Sequence, residues 1–135
     1  MVNIIAWNMG GLNNPNKQLD IKLFLSKHDV GLVGLMETKV KEENIDMVAC
    51  NLFGGWEWHT NVEYNNKVRK WVAWKSKDYQ VRILDSIEQL IHCRAQQIAT
   101  QKVFYITFVY GMNSIALREP LWRRLRDIAY QMPLA

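Results

Sequence analysis

A chain of 135 residues is the size of one domain and is long enough to bury a core of its own. Its hydrophobic share of 49% and charged share of 22% are those of a soluble globular protein, which excludes a disordered or fibrous chain. A net charge of +4 favours an anionic partner such as nucleic acid, and a solvated lysine surface gives the same balance.

Asn3-Ile4-Ile5-Ala6-Trp7-Asn8 reads as a first strand that ends in the turn-rich run from Met9 through Asn16. Asn8 at that end either caps the turn or presents its amide to a ligand or metal. A helix follows, with Asn16 as its expected N-cap and Ile21, Phe24, Leu25 and His28 on the face that packs against a sheet. Val30-Gly31-Leu32-Val33-Gly34-Leu35-Met36 then forms a buried strand that breaks off into Glu37-Thr38-Lys39. It delivers a carboxylate to its C-terminal end, where α/β proteins tend to build sites. Strand, helix and strand in this spacing make a βαβ-like unit with its two strands parallel and close.

Residues 41–53 read as an amphipathic helix with Ile45, Val48, Ala49 and Leu52 inward, ended by Gly54-Gly55. The period then changes to two. Strands are expected at 56–60, 68–75 and 79–84, and a further one puts Ile87, Gln89, Ile91 and Cys93 on one face with Leu90 and His92 on the other. Residues 103–110 are apolar or aromatic on both faces, which places them in the middle of a sheet. A last helix over about 117–130 carries Leu121, Trp122, Leu125, Ile128 and Ala129 on one face and arginines on the other.

His28 reads as a packed or C-terminal capping histidine, and His59 and His92 read as structural, since neither has a second ligand at metal spacing. Cys50 and Cys93 form no C-x-x-C pair, so zinc and disulfide frameworks are not expected and free thiols suit a reducing compartment. No basic-then-apolar leader follows Met1, and the longest apolar run is too short for a bilayer. An intracellular, membrane-free protein is expected, nuclear if it acts on DNA, with no obligate protein partner. Positive charge gathers at Lys67, Arg69, Lys70, Lys75 and Lys77, and again at Arg118, Arg123, Arg124 and Arg126.

Three strand ends therefore carry polar groups: Asn8, Glu37, and Tyr110 with Asn113. Brought together, an amide, a carboxylate and a phenol suit a divalent metal and a phosphate, because hard oxygens hold Mg²⁺ and the phenol or amide donates to a phosphoryl oxygen.

Ile4-Ile5-Ala6-Trp7-Asn8 with Gly11-Leu12-Asn13, then Gly34-Leu35-Met36-Glu37-Thr38-Lys39, then Phe108-Val109-Tyr110-Gly111-Met112-Asn113 resemble successive motifs of the endonuclease/exonuclease/phosphatase superfamily. The form is that of the apurinic-type endonuclease domain of plant LINE-like non-LTR retrotransposons, which the run 11–18 and Arg118-Glu119-Pro120-Leu121-Trp122 also fit. The resemblance implies an α/β fold, a four-layered α/β sandwich of two packed mixed sheets with helices outside. It also implies Mg²⁺- or Mn²⁺-dependent cleavage of DNA phosphodiesters, in the transposon a nick that primes reverse transcription. Glu37 would bind the metal and Asn8 would belong to the metal and phosphate pocket. Tyr110 and Asn113 would act on the scissile phosphate, with Arg118, Lys67, Arg69 and Lys70 on the nucleic acid.

The family's later Gly-Asp-x-Asn and Ser-Asp-His motifs do not occur in these residues, Gly10 stands where the subfamily often has arginine, and Val68-Arg69-Lys70-Trp71 replaces Gly-Arg-Ile-Trp. The expectation is the N-terminal half of such a domain, with the C-terminal half of the sandwich missing, the metal weakly held and no catalysis by the fragment itself. A non-catalytic nucleic-acid-binding module and an inert transposon remnant are the alternatives. With half the strands absent, 103–110 would lie near an open edge and promote aggregation.

Overall fold

The computed structural model describes residues 3–62, 67–109 and 115–131. Strands β1 (Asn3–Asn8) and β2 (Val30–Lys41) lie side by side and parallel, with α1 (Pro15–Lys27) as the crossover that a parallel pair requires. β4 (Lys67–Trp74) pairs antiparallel with β2, and β3 (Glu57–Val62) antiparallel with β4, giving the order β1-β2-β4-β3. A second sheet is the antiparallel meander β5 (Tyr79–Ile87), β6 (Leu90–Gln97) and β7 (Val103–Val109). α2 (Ile45–Phe53) joins α1 on the first sheet, and α3 (Ile115–Gln131) covers the second.

Alternation along the strands builds the layers. Val33, Leu35, Trp71 and Ala73 face the helices and pack on Leu12, Ile21, Leu25, Val48, Leu52 and Phe53. Leu32, Met36 and Val72 face the other way, against Tyr79, Ile91, Cys93, Ala95 and Phe108. On the outer face of the second sheet, Leu90 meets Leu121 and Ile128 of α3. Each such side chain taken fully out of water contributes roughly 1.5–3 kcal/mol before conformational entropy is counted. The result is helix, sheet, sheet, helix, the partial sandwich expected from the motifs. Among the described residues no helix is long and apolar enough to cross a membrane.

Several boundaries differ from the sequence reading, each for a local reason. Asn14, not Asn16, caps α1: its side-chain oxygen accepts the Asn16 N–H at 2.9 Å, which lets Pro15 occupy the first turn, where its missing N–H is harmless. Lys41 belongs to β2 rather than to the second helix, which begins at Ile45 after a single 3₁₀ turn over Glu42–Asn44. The strand read through Ile87 to Cys93 is interrupted. Glu88 and Gln89 form a two-residue turn between Ile87, which ends β5, and its partner Leu90, which begins β6. The two-residue turn sets Ile87 opposite Leu90, so Ile87 packs with Leu90 toward α3 and not, as the spacing suggests, on the face of Ile91 and Cys93.

β7 is not central. It pairs with β6 alone among the described strands, and only Phe108 of its residues is fully buried. One face packs Phe104, Ile106 and Phe108 toward the first sheet, while Val103 and Val109 stand exposed. The open edge expected for a half-sandwich is what the described residues present. On α3 the buried face is Leu121, Leu125 and Ile128, spaced i, i+4, i+7; Trp122 and Ala129 fall outside that stripe and are exposed.

Candidate functional site

β2 does not stop at Glu37 but bulges there. Met36 stands opposite Lys70 and Val40 opposite Val68, so Glu37, Thr38 and Lys39 share the space of one residue on β4. Glu37 (φ 58°) and Lys39 (φ 56°) both adopt left-handed backbone, a conformation that opposes folding by roughly 1–3 kcal/mol at a non-glycine residue.

The loop after β1 holds the bulge in place. Met9 N–H donates to Met36 O, Gly11 N–H to Glu37 O and Leu12 N–H to Thr38 O, each at 2.8 Å, and Asn13 Nδ2 reaches Lys39 O at 3.1 Å. Lys17 Nζ donates to the Met9 carbonyl and pins the loop from α1. Gly10 (φ 61°) and Gly11 (φ 110°) supply the positive φ angles this path needs. The sequence accomplishes this locally: a glycine pair lets the chain turn alongside β2, so every carbonyl from Met36 to Lys39 finds a donor.

Asn8 lies opposite Met36, one residue before Glu37, so the structure brings the amide and the carboxylate to the same strand ends. Asn8 is exposed and Glu37 half-buried. β7 finishes at this end too. Val109 pairs with Leu90, beside Glu88, and the Glu88 carbonyl accepts the ammonium of Lys70, which stands opposite Met36. Tyr110 and Asn113 lie outside the described residues.

The basic candidates divide. Lys70 is only 1% exposed, and its Nζ donates to Glu88 O at 2.6 Å. This corrects its assignment to a nucleic-acid surface: alternation turns it toward the second sheet, where its charge is spent on an inter-sheet bond. Lys67 and Arg69 belong to β4, but their side chains lie outside the described residues. Arg118 is half-buried on α3. Arg124 is held by Asp85 at 2.6 Å, a bond that ties α3 to β5 and raises the guanidinium above its usual range. Arg123 and Arg126 are exposed and share Glu119 at 3.6 and 4.0 Å.

A polar seam between the sheets escaped the sequence reading. Asn61 Nδ2 donates to Ile87 O at 2.7 Å while its Oδ1 accepts the Lys70 N–H at 2.8 Å, and His59 Nε2 meets Ser86 Oγ at 3.0 Å. Together with Lys70 they fasten the β5–β6 turn to the first sheet at the Glu37 end. Nothing in the spacing around Asn61 distinguishes it from a turn asparagine. His92 Nδ1 bonds Thr107 Oγ1 at 2.7 Å. Burial holds both histidines below the usual imidazole range, opposed at His92 by the charge of Asp85. Both are bonded within the fold, whereas His28 does not join the packed face of α1: it is exposed and caps the helix, its N–H donating to Phe24 O at 3.0 Å. Burial also pushes the Cys93 thiol up to about 12, which leaves it without thiolate character.

Glu37 and Asn8 offer hard oxygen donors of the kind Mg²⁺ takes, at an accessible end. They supply one charge. Among the described residues no three His, Cys, Asp or Glu side chains gather where they could hold a metal. These two side chains would fill only part of a Mg²⁺ coordination sphere and would leave the other positions to further oxygens.

This layering, with its βαβ opening, is the fold of the endonuclease/exonuclease/phosphatase proteins. The chain is similar to the endonuclease domain of TRAS1, a telomere-specific non-LTR retrotransposon, with a TM-score of 0.72 and 10% identity over 96% of this chain and 54% of that one. It is also similar to the AP endonuclease LMAP of Leishmania major, with a TM-score of 0.63 and 15% identity over 89% of this chain and 43% of that one. In sequence it matches an exodeoxyribonuclease of Bacillus subtilis (strain 168), 25% identical over 114 residues, 82% of this chain and 43% of that protein. No family model matches. The chain spans about half the length of the proteins it matches.

Proposed function

We propose that these residues form the leading half of a nuclease domain that cleaves DNA phosphodiesters with Mg²⁺ or Mn²⁺, and that they do not cut unaided. The observation that carries the reading is the junction of Asn8 and Glu37, clamped by the glycine loop to a strained bulge. Strain of this kind persists where the surrounding bonds over-determine it, and such places concentrate at functional sites. Glu37 and Asn8 would hold the metal, which when bound polarises a phosphoryl oxygen. By resemblance, Tyr110 and Asn113 contact the scissile phosphate. In a plant LINE-like retrotransposon the product is the nick that primes reverse transcription, made in the nucleus.

The same donor count supports inactivity of this span. A single carboxylate binds Mg²⁺ weakly, and among the described residues no three His, Cys, Asp or Glu side chains gather to hold one. Catalytic groups that act as a unit fail together when some are missing. Purified chain incubated with supercoiled plasmid and Mg²⁺ should give no nicking above background; nicking abolished by Glu37→Ala would overturn inactivity. Mn²⁺ titration followed by NMR should broaden the backbone amides of Asn8 and Glu37, and Glu37→Gln should remove the effect. Broadening spread evenly over the surface carboxylates would sink the metal assignment. The second reading, nucleic-acid binding without cleavage, draws on the exposed Arg123 and Arg126 of α3.

A further inference from the structure

Away from the Glu37 end, Gly55, Trp56, Lys75, Ser76 and Lys77 line a cleft of about 310 Å³. The Lys75 N–H bonds Gly31 O at 2.9 Å, at the beginning of β2. Glu37 lies further along that strand, on the order of 20 Å away at the usual rise per residue. Trp56 is anchored from beneath by Phe53, with ring centroids 5.5 Å apart. The Lys75 ammonium sits 5.4 Å from the Trp56 ring centroid. Gly55 (φ +84°) leaves open space beside the ring, with no atom within 4 Å of where a Cβ would stand. Ser76 and Lys77 are exposed, and no carboxylate lines the cleft.

We propose that this cleft binds single-stranded nucleic acid, stacking one unpaired base on Trp56 and seating adjoining phosphates on Lys75 and Lys77. The choice of nucleic acid as ligand rests on the nuclease reading; the geometry of the cleft does not. An ammonium resting on a half-buried indole at a solvent-facing cleft is held weakly. A base stacked on an aromatic side chain is held more strongly than that. The base therefore displaces the ammonium, and the freed Lys75 meets the phosphate beside it. The volume admits one base rather than a longer segment, standing at the low end of ligand pockets. A paired base has its faces covered by its neighbours in the stack, so duplex does not satisfy the indole.

The test is fluorescence anisotropy of the whole chain with labelled hexathymidylate in EDTA, where neither metal nor cleavage contributes. Trp56→Ala should weaken binding about tenfold and Trp56→Phe should retain most of it, as stacking requires. Lys77→Ala should weaken binding and lower the slope of log K against log salt by about 0.7. Unlabelled hexathymidylate should compete far better than a duplex of equal length. Because Trp56 also packs on Phe53, Trp56→Ala is scored only if its melting temperature holds; otherwise Lys75→Ala/Lys77→Ala, on the surface, decides. Wild-type affinity in the decisive variant, or equal competition by duplex, overturns the proposal. Loss of the cleft with intact Mn²⁺ broadening at Glu37 leaves the nuclease reading standing, and the reverse outcome separates the two in the other direction.

Discussion

Gly34 shows how one residue joins the two halves of the sandwich. A Cβ there would lie 2.2 Å from Phe108 Cδ1 and 2.5 Å from Cε1, so the missing side chain is the space that the β7 phenylalanine fills. Gly34→Ala should lower stability in urea unfolding by about 1–3 kcal/mol, the range for overpacking a closed core. Asn61 works through polarity instead. Replacing it by leucine strips the Lys70 N–H and the Ile87 carbonyl of partners at 2.8 and 2.7 Å. About 1–3 kcal/mol of destabilisation is expected for each group left buried and unsatisfied. Thermal melts of Asn61→Leu beside Asn61→Asp, whose oxygen still accepts from Lys70, separate the two bonds. At Glu37 the local sequence announced a carboxylate at a strand end, but the left-handed backbone beneath it is set by bonds to residues 9–13, distant in sequence.

At the scale of elements, the two histidines tie the sheets to pH. Burial holds His59 and His92 below the reference value of 6.5, so just under that pH the unfolded chain binds protons that the native chain refuses. Stability from this source is complete above pH 6.5 and is lost as pH falls through the depressed values. Melting temperatures should therefore drop between about pH 7.5 and about pH 5, and His59→Gln with His92→Gln should flatten that part of the decline. An unchanged slope in the double variant would remove the histidines from the account. The β5–β6 hairpin shows why some boundaries were hidden. Its turn, Glu88-Gln89, carries neither glycine nor asparagine, and the regular alternation of residue types gives no sign that the chain reverses there. The loop around Gly10-Gly11 and the stop at Gly54-Gly55 carry explicit turn chemistry, and both were legible.

For the whole molecule, the decisive feature is the edge of β7. Val103 is 42% and Val109 39% exposed, on a strand paired on one side among those described. Unpaired backbone beside exposed valine is a template for another strand. Sedimentation velocity at rising concentration should show association of the 135-residue chain, and Val109→Lys should reduce it with a stability change within about 0.5 kcal/mol. Association unaltered by the charge would place the contact elsewhere.

The sequence by itself determined the βαβ opening, the inward Ile21, Leu25, Val48, Ala49 and Leu52 of α1 and α2, the alternation that separates Ile91 and Cys93 from Leu90 and His92, and the position of Asn8 and Glu37 at neighbouring strand ends. These follow from periodicity and from the short parallel crossover, which are local. Tertiary structure alone decided that Lys70 is buried and that β2 bulges at Glu37 instead of ending there. A lysine among basic neighbours reads as surface until the second sheet's Glu88 carbonyl arrives to take its proton donors. The carboxylate at Glu37 was visible from the first reading, but its setting depends on hydrogen bonds between segments distant in the chain, which no local pattern encodes.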